Sequence, residues 1–352
     1  MTRPTRADLA PGYSISRVIR GGWQLAGGHG AVDGSHAVQD MIAFADAGIT
    51  TFDCADIYTG VEAMIGAFRR EYANQRGQEA LDKIRVHTKC VPDLGRLASL
   101  TRDRLQDTID RSRDRLGVER LDLVQFHWWD YAQGDWLQAA GWLREFQGEG
   151  RINLLGGTNF DTDHVAQMFD NGIRLASMQV QYSLLDRRPE KTMTALAAQH
   201  GFSFLCYGTV AGGFLSDRWL GQPDPGAELE NRSLVKYRLI IHDLGGWDLF
   251  QSLLATLRAI ADRHNSDIAT VASAAMLARP QVAATIVGAR NADHLGPNLA
   301  ITALDLTAAD LAEIDAALAE AAELDGDVYA LERDRTGRHG AIMKYNLNKE
   351  EV

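Results

Sequence analysis

Four polar residues of this 352-residue chain fall at, or one turn beyond, the ends of short apolar runs. The run in TTFDCADIY ends at Asp53 and reaches Tyr58, the run in RVHTKC ends near Lys89, and the run in LDLVQFHWW ends at His127. A free tyrosine is too weak an acid for ready proton donation at neutral pH. A Lys89 ammonium would lower the pKa of Tyr58, and Asp53 would keep Lys89 charged and oriented. His127 could donate a hydrogen bond to the same oxygen that takes the proton.

These residues can meet only if the runs are neighbouring parallel strands. From residue 17 onward, short apolar runs alternate with segments of helical period, such as 101–116, where Leu105, Ile109 and Leu116 are suitably spaced and Gly117 supplies a stop. Eight such runs favour a (β/α)8 TIM barrel over a six-stranded nucleotide-binding fold. The predicted strands are residues 16–19, 50–53, 85–89, 121–127, 153–158, 176–181, 202–207 and 284–287.

The alternation predicts one barrel domain over residues 1–352, with its core at about 15–325. Residues 211–246, which contain Pro223 and Pro225, show no clear period and are expected to form a long functional loop after the seventh strand. The C-terminal tail, residues 326–352, is expected to wrap the surface. Six side chains in or directly next to these two segments are candidates for a pocket wall: His242, Trp247, Tyr329, Arg333, His339 and Tyr345.

The fragments FDCADIYTG, HTK, LDLVQFH, GGTNF, QVQYS and IVGAR occur in this order between residues 17 and 298. Together they resemble the aldo-keto reductase family. The resemblance implies a TIM barrel that reduces aldehydes or ketones to alcohols, or catalyses the reverse reaction, by hydride transfer from NADPH. It also implies that the proton donor is Tyr58 and that the other catalytic residues are Asp53, Lys89 and His127.

The resemblance places a nicotinamide cofactor on the same rim. Hydrogen bonds to the nicotinamide amide would come from Thr158, Asn159 and Gln179, while Tyr207, followed by Gly208, would stack on its ring. The adenosine end would lie against Gly288, Ala289, Arg290, His294 and Asn298. His294 and Pro297 depart from the residues that relatives usually carry. Arg290 favours NADPH over NADH because a guanidinium can pair with the 2'-phosphate. A Rossmann site is disfavoured, since GGWQLAGGHG opens no helix and lacks the acidic residue for ribose.

Three tryptophans are candidate substrate-pocket residues. Trp23 matches a family position at the pocket edge, and one of Trp128 and Trp129 is expected to form an aromatic wall; packing in the barrel is the alternative for all three. The cysteines, Cys54, Cys90 and Cys206, are expected to be buried structural thiols, and no pattern suggests a metal site.

The formal net charge of −11 argues against a nucleic-acid surface. The chain shows neither a signal-peptide pattern nor an apolar run of about 18 residues, so a cytoplasmic protein without a membrane segment is expected. A small carbonyl or alcohol is the expected partner, and the sequence leaves the oligomeric state open. The alternative function is a cofactor-binding regulatory subunit, because the family includes potassium-channel β-subunits that keep the same four catalytic residues.

Overall fold

The computed structural model describes residues 5–26, 34–226, 228–289 and 291–348. Its centre is a closed barrel of eight parallel strands, in which the last strand pairs with the first. The predicted TIM barrel is therefore confirmed, and every predicted strand is present with its ends within two residues. The barrel strands are β3 (Val18–Gly21), β4 (Thr51–Asp53), β5 (Arg85–Cys90), β6 (Leu121–Phe126), β7 (Ile152–Thr158), β8 (Ser177–Gln181), β9 (Ser203–Tyr207) and β10 (Val282–Gly288).

Helices surround the barrel, and their ends follow local sequence signals. The predicted helix at 101–116 forms from Arg102 to Leu116, with the Thr101 side chain accepting from the Arg104 backbone N–H and Gly117 in the left-handed region. Its buried face carries the predicted apolar residues. The helices are α1 (Gly34–Asp46), α2 (Val61–Arg76), α3 (Gln78–Leu81), α4 (Arg102–Leu116), α5 (Trp136–Gly148), α6 (Thr162–Asp170), α7 (Met193–His200), α8 (Arg232–Leu244), α9 (Gly246–Arg263), α10 (Ile268–Leu277), α11 (Leu295–Ala303), α12 (Ala308–Ala317) and α13 (Ala330–Arg333).

Among these helices, none is both long enough and apolar enough to cross a membrane, a statement that covers the described ranges only.

An N-terminal hairpin, which the sequence reasoning missed, packs against the barrel interior. Strands β1 (Arg6–Ala10) and β2 (Tyr13–Ser16) pair antiparallel around a turn in which Gly12 has a φ of 76°. Proline followed by glycine suits such a turn, so the Pro11–Gly12 pair was the available signal. The hairpin's apolar residues share one buried cluster with residues of β6, β9 and β10. The hairpin thus covers one end of the barrel, while the carboxyl ends of the strands open at the other.

The segment after β9 corrects the prediction of a long loop over residues 211–246. It contains short 3-10 turns at Ala211–Gly213 and Asp217–Trp219, but then the 13-residue helix α8. The Asn231 side chain caps this helix, and Leu234, Tyr237, Ile241 and Leu244 are buried on one face. Their spacing is helical, so the sequence does contain the hydrophobic period of α8, directly after a stretch of prolines and glycines that indicates a loop.

The tail crosses the open end of the barrel instead of only wrapping the surface. Glu332 of α13 accepts hydrogen bonds from Arg188, and His339 pairs with Asp243. Further along, Asp93 of the loop after β5 accepts from the backbone N–H groups of Leu347 and Asn348 at 2.8 and 3.0 Å. The residues between these anchors are therefore held over the mouth of the barrel.

Candidate active site

A cavity of about 320 Å³ lies where the carboxyl ends of the barrel strands converge. Asp53, Thr158 and Tyr207 are the last residues of their strands, Lys89 is the next to last of its strand, and His127 directly follows β6. All five line this cavity, as do Tyr58, Asn159, Gln179, Gly208 and Gly288. The structure thus brings the four predicted catalytic residues together with most of the residues expected to hold nicotinamide.

A buried ion pair anchors one side of the cavity. Lys89 Nζ donates to Asp53 Oδ2 at 2.6 Å and to the Cys54 carbonyl at 2.8 Å, and both side chains are about 95% buried. Asp53 Oδ1 also accepts from the Gln125 and Gln179 amides at 3.0 and 2.6 Å. Burial alone would lower the pKa of Lys89, but the charge and hydrogen bond of Asp53, together with smaller effects of Tyr58 and Cys54, outweigh it and the pKa is raised. Lys89 is therefore a fixed positive charge.

Tyr58 lies beside this charge, with its ring centroid 4.9 Å from Lys89 Nζ. The sequence reasoning expected a pKa lowered by Lys89. In the structure burial raises the pKa of Tyr58, and the opposing effect of Lys89 does not fully offset it. Lys89 thus acts in the expected direction, but burial, which penalises the phenolate and cannot be read from residue types alone, outweighs it. Tyr58 is consequently a neutral phenol next to a cation that stabilises its anion.

His127 is buried, and its Nδ1 lies 3.0 Å from the Thr158 carbonyl oxygen. Burial lowers the pKa of His127 to about 3, so the ring is neutral at physiological pH. A carbonyl can only accept, so Nδ1 carries the proton. Its Nε2 is buried, has no partner within the described residues, and in this tautomer can only accept. The donor role expected for His127 therefore requires a second proton.

Near the carboxyl ends of β7, β8 and β9, the cavity wall carries two side-chain amides, one with an available donor and one with an available acceptor. Asn159 Oδ1 accepts from Tyr207 Oη at 2.9 Å, which leaves its Nδ2 available. Gln179 uses its Nε2 on Asp53 and on Gln125 Oε1, which leaves its own Oε1 available. Gly208 has a φ of 79°, and a Cβ there would lie 2.1 Å from Tyr237 Oη. This close approach explains why only glycine fits after Tyr207.

The residues expected at the adenosine end lie beyond β10, mostly outside this cavity. Gly288 lines the cavity, whereas Ala289, His294 and Asn298 do not. His294 ends a 3-10 turn, and the buried Asn298 Nδ2 has no hydrogen-bond partner in the described part of the chain. Arg290 lies outside the described residues.

The three tryptophans occupy different environments. Trp23 is 38% exposed and lines the cavity at 5.1 Å from Tyr58 between ring centroids. Trp129 also lines it and meets the His127 ring edge-on at 4.2 Å. Trp128 is fully buried and outside the cavity, where its Nε1 donates to the carbonyls of Asp130 and Gln133. Trp129 is thus the member of the pair that faces the cavity, and Trp128 is a packing residue.

A wall that sequence reasoning largely missed comes from α8 and the tail. Tyr329 is the one member of the six candidates from these segments that lines the cavity. The helical period of α8 could have placed Arg232, Ser233 and Lys236 on one face, but the tail residues carry no local signal. The wall residues are Arg232, Ser233, Lys236, Tyr237, Tyr329, Ile342, Met343, Lys344 and Leu347.

The three cysteines are fully buried, as expected, and burial raises the pKa of each thiol.

Comparison with known proteins agrees with this geometry. The sequence model of the Aldo/keto reductase family matches residues 17–319. The chain belongs to the aldo-keto reductase family. It is 26% identical over 296 residues to flagellar radial spoke protein 5 of Chlamydomonas reinhardtii, a match that covers 67% of this chain and 55% of that protein. It is 23% identical over 330 residues to the NADH-specific methylglyoxal reductase of Escherichia coli (strain K12), covering 88% and 96%.

Among solved structures, the aldo/keto reductase from Klebsiella pneumoniae in complex with NADP and acetate superposes with a TM-score of 0.65 at 20% identity, covering 89% of this chain and 94% of that one. At this identity the likeness shows the fold. Aldo-keto reductases use nicotinamide cofactors, and membership of the family supports carbonyl reduction in general.

Proposed function

We propose that this aldo-keto reductase reduces aldehydes or ketones to alcohols with NADPH, and that Tyr58 donates the proton. One observation carries the proposal: the buried Asp53–Lys89 ion pair places a fixed cation 4.9 Å from the ring of the partly buried Tyr58, at a cavity that also contains the open Nε2 of His127. The raised pKa keeps Tyr58 protonated before reaction, and Lys89 stabilises the phenolate that remains afterwards.

The residues of the cavity fit a nicotinamide ring. A carboxamide has an oxygen that accepts and an NH₂ that donates, and here Asn159 Nδ2 can donate while Gln179 Oε1 can accept. Tyr207 provides an aromatic face beside them. When bound, the cofactor supplies the hydride. Asn159, Gln179 and Tyr207 would orient it beside Tyr58.

His127 fits the alcohol form of the substrate in its neutral state. Its Nε2 then accepts from a hydroxyl, and as an imidazolium it would donate to a carbonyl oxygen. Because the pKa of His127 is about 3, the neutral ring is the working state: Tyr58 donates to the substrate carbonyl oxygen, and His127 Nε2 accepts from the alcohol hydroxyl that forms. The same site therefore serves carbonyl reduction and the reverse reaction, and the ratio of oxidised to reduced cofactor sets the direction.

NADPH is proposed over NADH because Arg290 follows β10 in the sequence, where a guanidinium suits the 2'-phosphate. Relatives differ in their cofactor: the Klebsiella pneumoniae structure contains NADP, whereas the methylglyoxal reductase is NADH-specific. Steady-state kinetics with both cofactors tests the preference of this protein. The ratio of kcat/KM for NADPH to that for NADH should exceed about 10 and should fall toward 1 in Arg290→Ala. Equal use of both cofactors by the wild type would contradict the preference.

The central test follows NADPH oxidation with a panel of aldehydes, ketones and sugars, comparing wild type with Tyr58→Phe. The variant should lose at least about 100-fold in kcat, because the proton donor contributes 10²–10⁴-fold, while NADPH affinity stays unchanged. Tyr72→Phe, on α2 outside the cavity, is the matched control and should keep full activity. Full activity in Tyr58→Phe would refute its role. NADPH binding by a wild type that reduces nothing would favour the regulatory-subunit alternative.

A further inference from the structure

The wall opposite the barrel strands contains a buried ammonium and a buried phenol. Lys236 of α8 has a side chain only 15% exposed, and its Nζ lies 5.5 Å from the ring centroids of both Tyr207 and Tyr329. Tyr329 is 4% exposed and has a φ of 63°, which is unusual for a residue other than glycine. Both side chains line the cavity.

These two groups have donors that the described protein does not use. The nearest acid to Lys236 is Glu332, at 3.6 Å, which is beyond hydrogen-bond distance. By contrast, Lys89 makes two bonds of 2.6 and 2.8 Å. Tyr329 Oη makes no hydrogen bond to any residue within the described ranges. Lys236 Nζ is turned toward Glu332 on one side only, so its remaining hydrogens and the Tyr329 hydroxyl can bind a ligand with several acceptor oxygens in the cavity that both residues line.

The charges around Lys236 keep it cationic without filling its hydrogen bonds. Glu332 is shared with Arg188, which also pairs with Asp186, so two cations balance two carboxylates behind the wall. Burial lowers the pKa of Lys236 and Glu332 opposes it. Within the described residues the only carboxylate that lines the cavity is Asp53, which Lys89 occupies. On its cavity side Lys236 therefore meets no free acid, and Glu332 lies behind it in the wall.

We propose that Lys236 and Tyr329 form an anion subsite that binds a carboxylate or phosphate group of the carbonyl substrate. The inference rests on the proposed reductase function and narrows its substrates to acidic aldehydes or ketones. The Tyr329 ring lies 5.7 Å from the His127 ring, centroid to centroid, so the acidic group would be bound a few bonds from the reacting carbonyl. Arg232 and Lys344 also line the cavity, but both are exposed at its mouth.

The test compares 4-formylbenzoate with 4-formylbenzamide, which have nearly the same shape and differ in charge. The wild type should prefer the acid in kcat/KM by at least about tenfold, as expected for a charge-assisted hydrogen bond. Lys236→Met should bring the ratio toward 1, mainly through KM, and leave the amide and NADPH affinity unchanged. Lys236→Arg should keep most of the preference. Lys83→Met, an exposed lysine, is the matched control.

Tyr329→Phe removes only one hydroxyl and keeps the ring packing, so it tests the subsite even if Lys236→Met does not fold. It should lower the preference for the acid about threefold or more. A second pair, glyceraldehyde 3-phosphate and glyceraldehyde, then distinguishes a phosphate subsite from a carboxylate subsite. The subsite is assigned to phosphate if the preference for the charged aldehyde is larger in this pair than in the formylbenzoate and formylbenzamide pair. It is assigned to carboxylate if the preference is larger in the formylbenzoate pair.

Three results would overturn the subsite. The first is a wild type that reduces the acid and the neutral aldehyde equally well. The second is full preference for the acid in both variants. The third is weaker NADPH binding in Lys236→Met with equal slowing of both aldehydes, which would assign Lys236 to the cofactor.

If neither aldehyde is reduced, the proposed reductase function fails separately. The subsite is then judged by titrating Trp23 and Trp129 fluorescence with the two aldehydes. Tighter binding of the acid that is lost in Lys236→Met supports it, and equal binding refutes it.

Discussion

Replacing Glu332 with glutamine measures how strongly charge holds the tail over the cavity. Glu332 is fully buried and accepts from Arg188 at 3.0 and 3.2 Å. Burial alone would raise the pKa of this carboxyl, but Arg188 and Lys236 outweigh it and lower the pKa to about 2. The folded-state pKa is thus below the unfolded value of about 4.5, so the stabilisation is present above pH 4.5 and is lost as the pH falls toward 2.

The size of this effect follows from the two pKa values. Each unit of difference between the folded and unfolded pKa contributes about 1.4 kcal/mol to stability, so the lowered pKa of Glu332 contributes about 3 kcal/mol at neutral pH. Removal of one partner from a buried ion pair costs a similar amount, about 3–5 kcal/mol. Glu332→Gln should therefore lower the free energy of unfolding by about 3 kcal/mol at pH 7, and its difference from wild type should shrink to about 1 kcal/mol near pH 3.

Urea unfolding monitored by circular dichroism measures this difference at each pH, and limited trypsin digestion reports release of the arginine-rich tail. Glu323→Gln is the control, since that side chain is 89% exposed and lies 3.8 Å from Lys191. It should change stability by less than about 0.5 kcal/mol. A loss below about 1 kcal/mol in Glu332→Gln, or tryptic cleavage no faster than in wild type, would refute the idea that this charge network fixes the tail.

Two other changes test acid stability and access to the cavity. His87 is fully buried, and burial lowers its pKa to about 3, so the unfolded state binds more protons below pH 6.5 and stability falls by about 2 kcal/mol at pH 5. His87→Met should remove this part of the acid sensitivity in urea unfolding at pH 7.5 and 5; an unchanged pH dependence would contradict it. Asp93→Ala frees the end of the tail from its backbone hydrogen bonds. KM for carbonyl substrates should rise at least about threefold with a smaller change in kcat, whereas unchanged steady-state kinetics would show that the tail needs no such anchor.

The barrel could be predicted because its information is local. Each strand is a short apolar run, and six of the eight predicted runs end at a residue that lines the cavity. The two missed elements also had local signals, namely Pro11–Gly12 for the hairpin and the spacing of Leu234, Tyr237 and Ile241 for α8. They were missed because the expected alternation of strands and helices had no place for them.

The convergence of the candidate catalytic residues on one cavity could be predicted from the sequence, but their protonation states could not. Strand ends converge in any such barrel, so Asp53, Lys89 and His127 had to meet. The pKa of Tyr58 depends on how completely the site is buried, and the tautomer of His127 depends on the Thr158 carbonyl. Both are properties of the assembled cavity and have no counterpart in residue spacing.

The tail illustrates why a substrate wall is harder to predict than a catalytic centre. Glu332 bonds Arg188, which lies 144 positions earlier, and this long-range contact helps to hold Tyr329, three residues before Glu332, at the cavity. Within the described chain, the barrel strands and the loops that directly follow them supply the groups proposed for proton transfer, whereas α8 and the tail supply Lys236 and Tyr329 on the facing wall. Substitutions in the tail should therefore change which carbonyl compound is accepted while leaving the chemistry at Tyr58 intact.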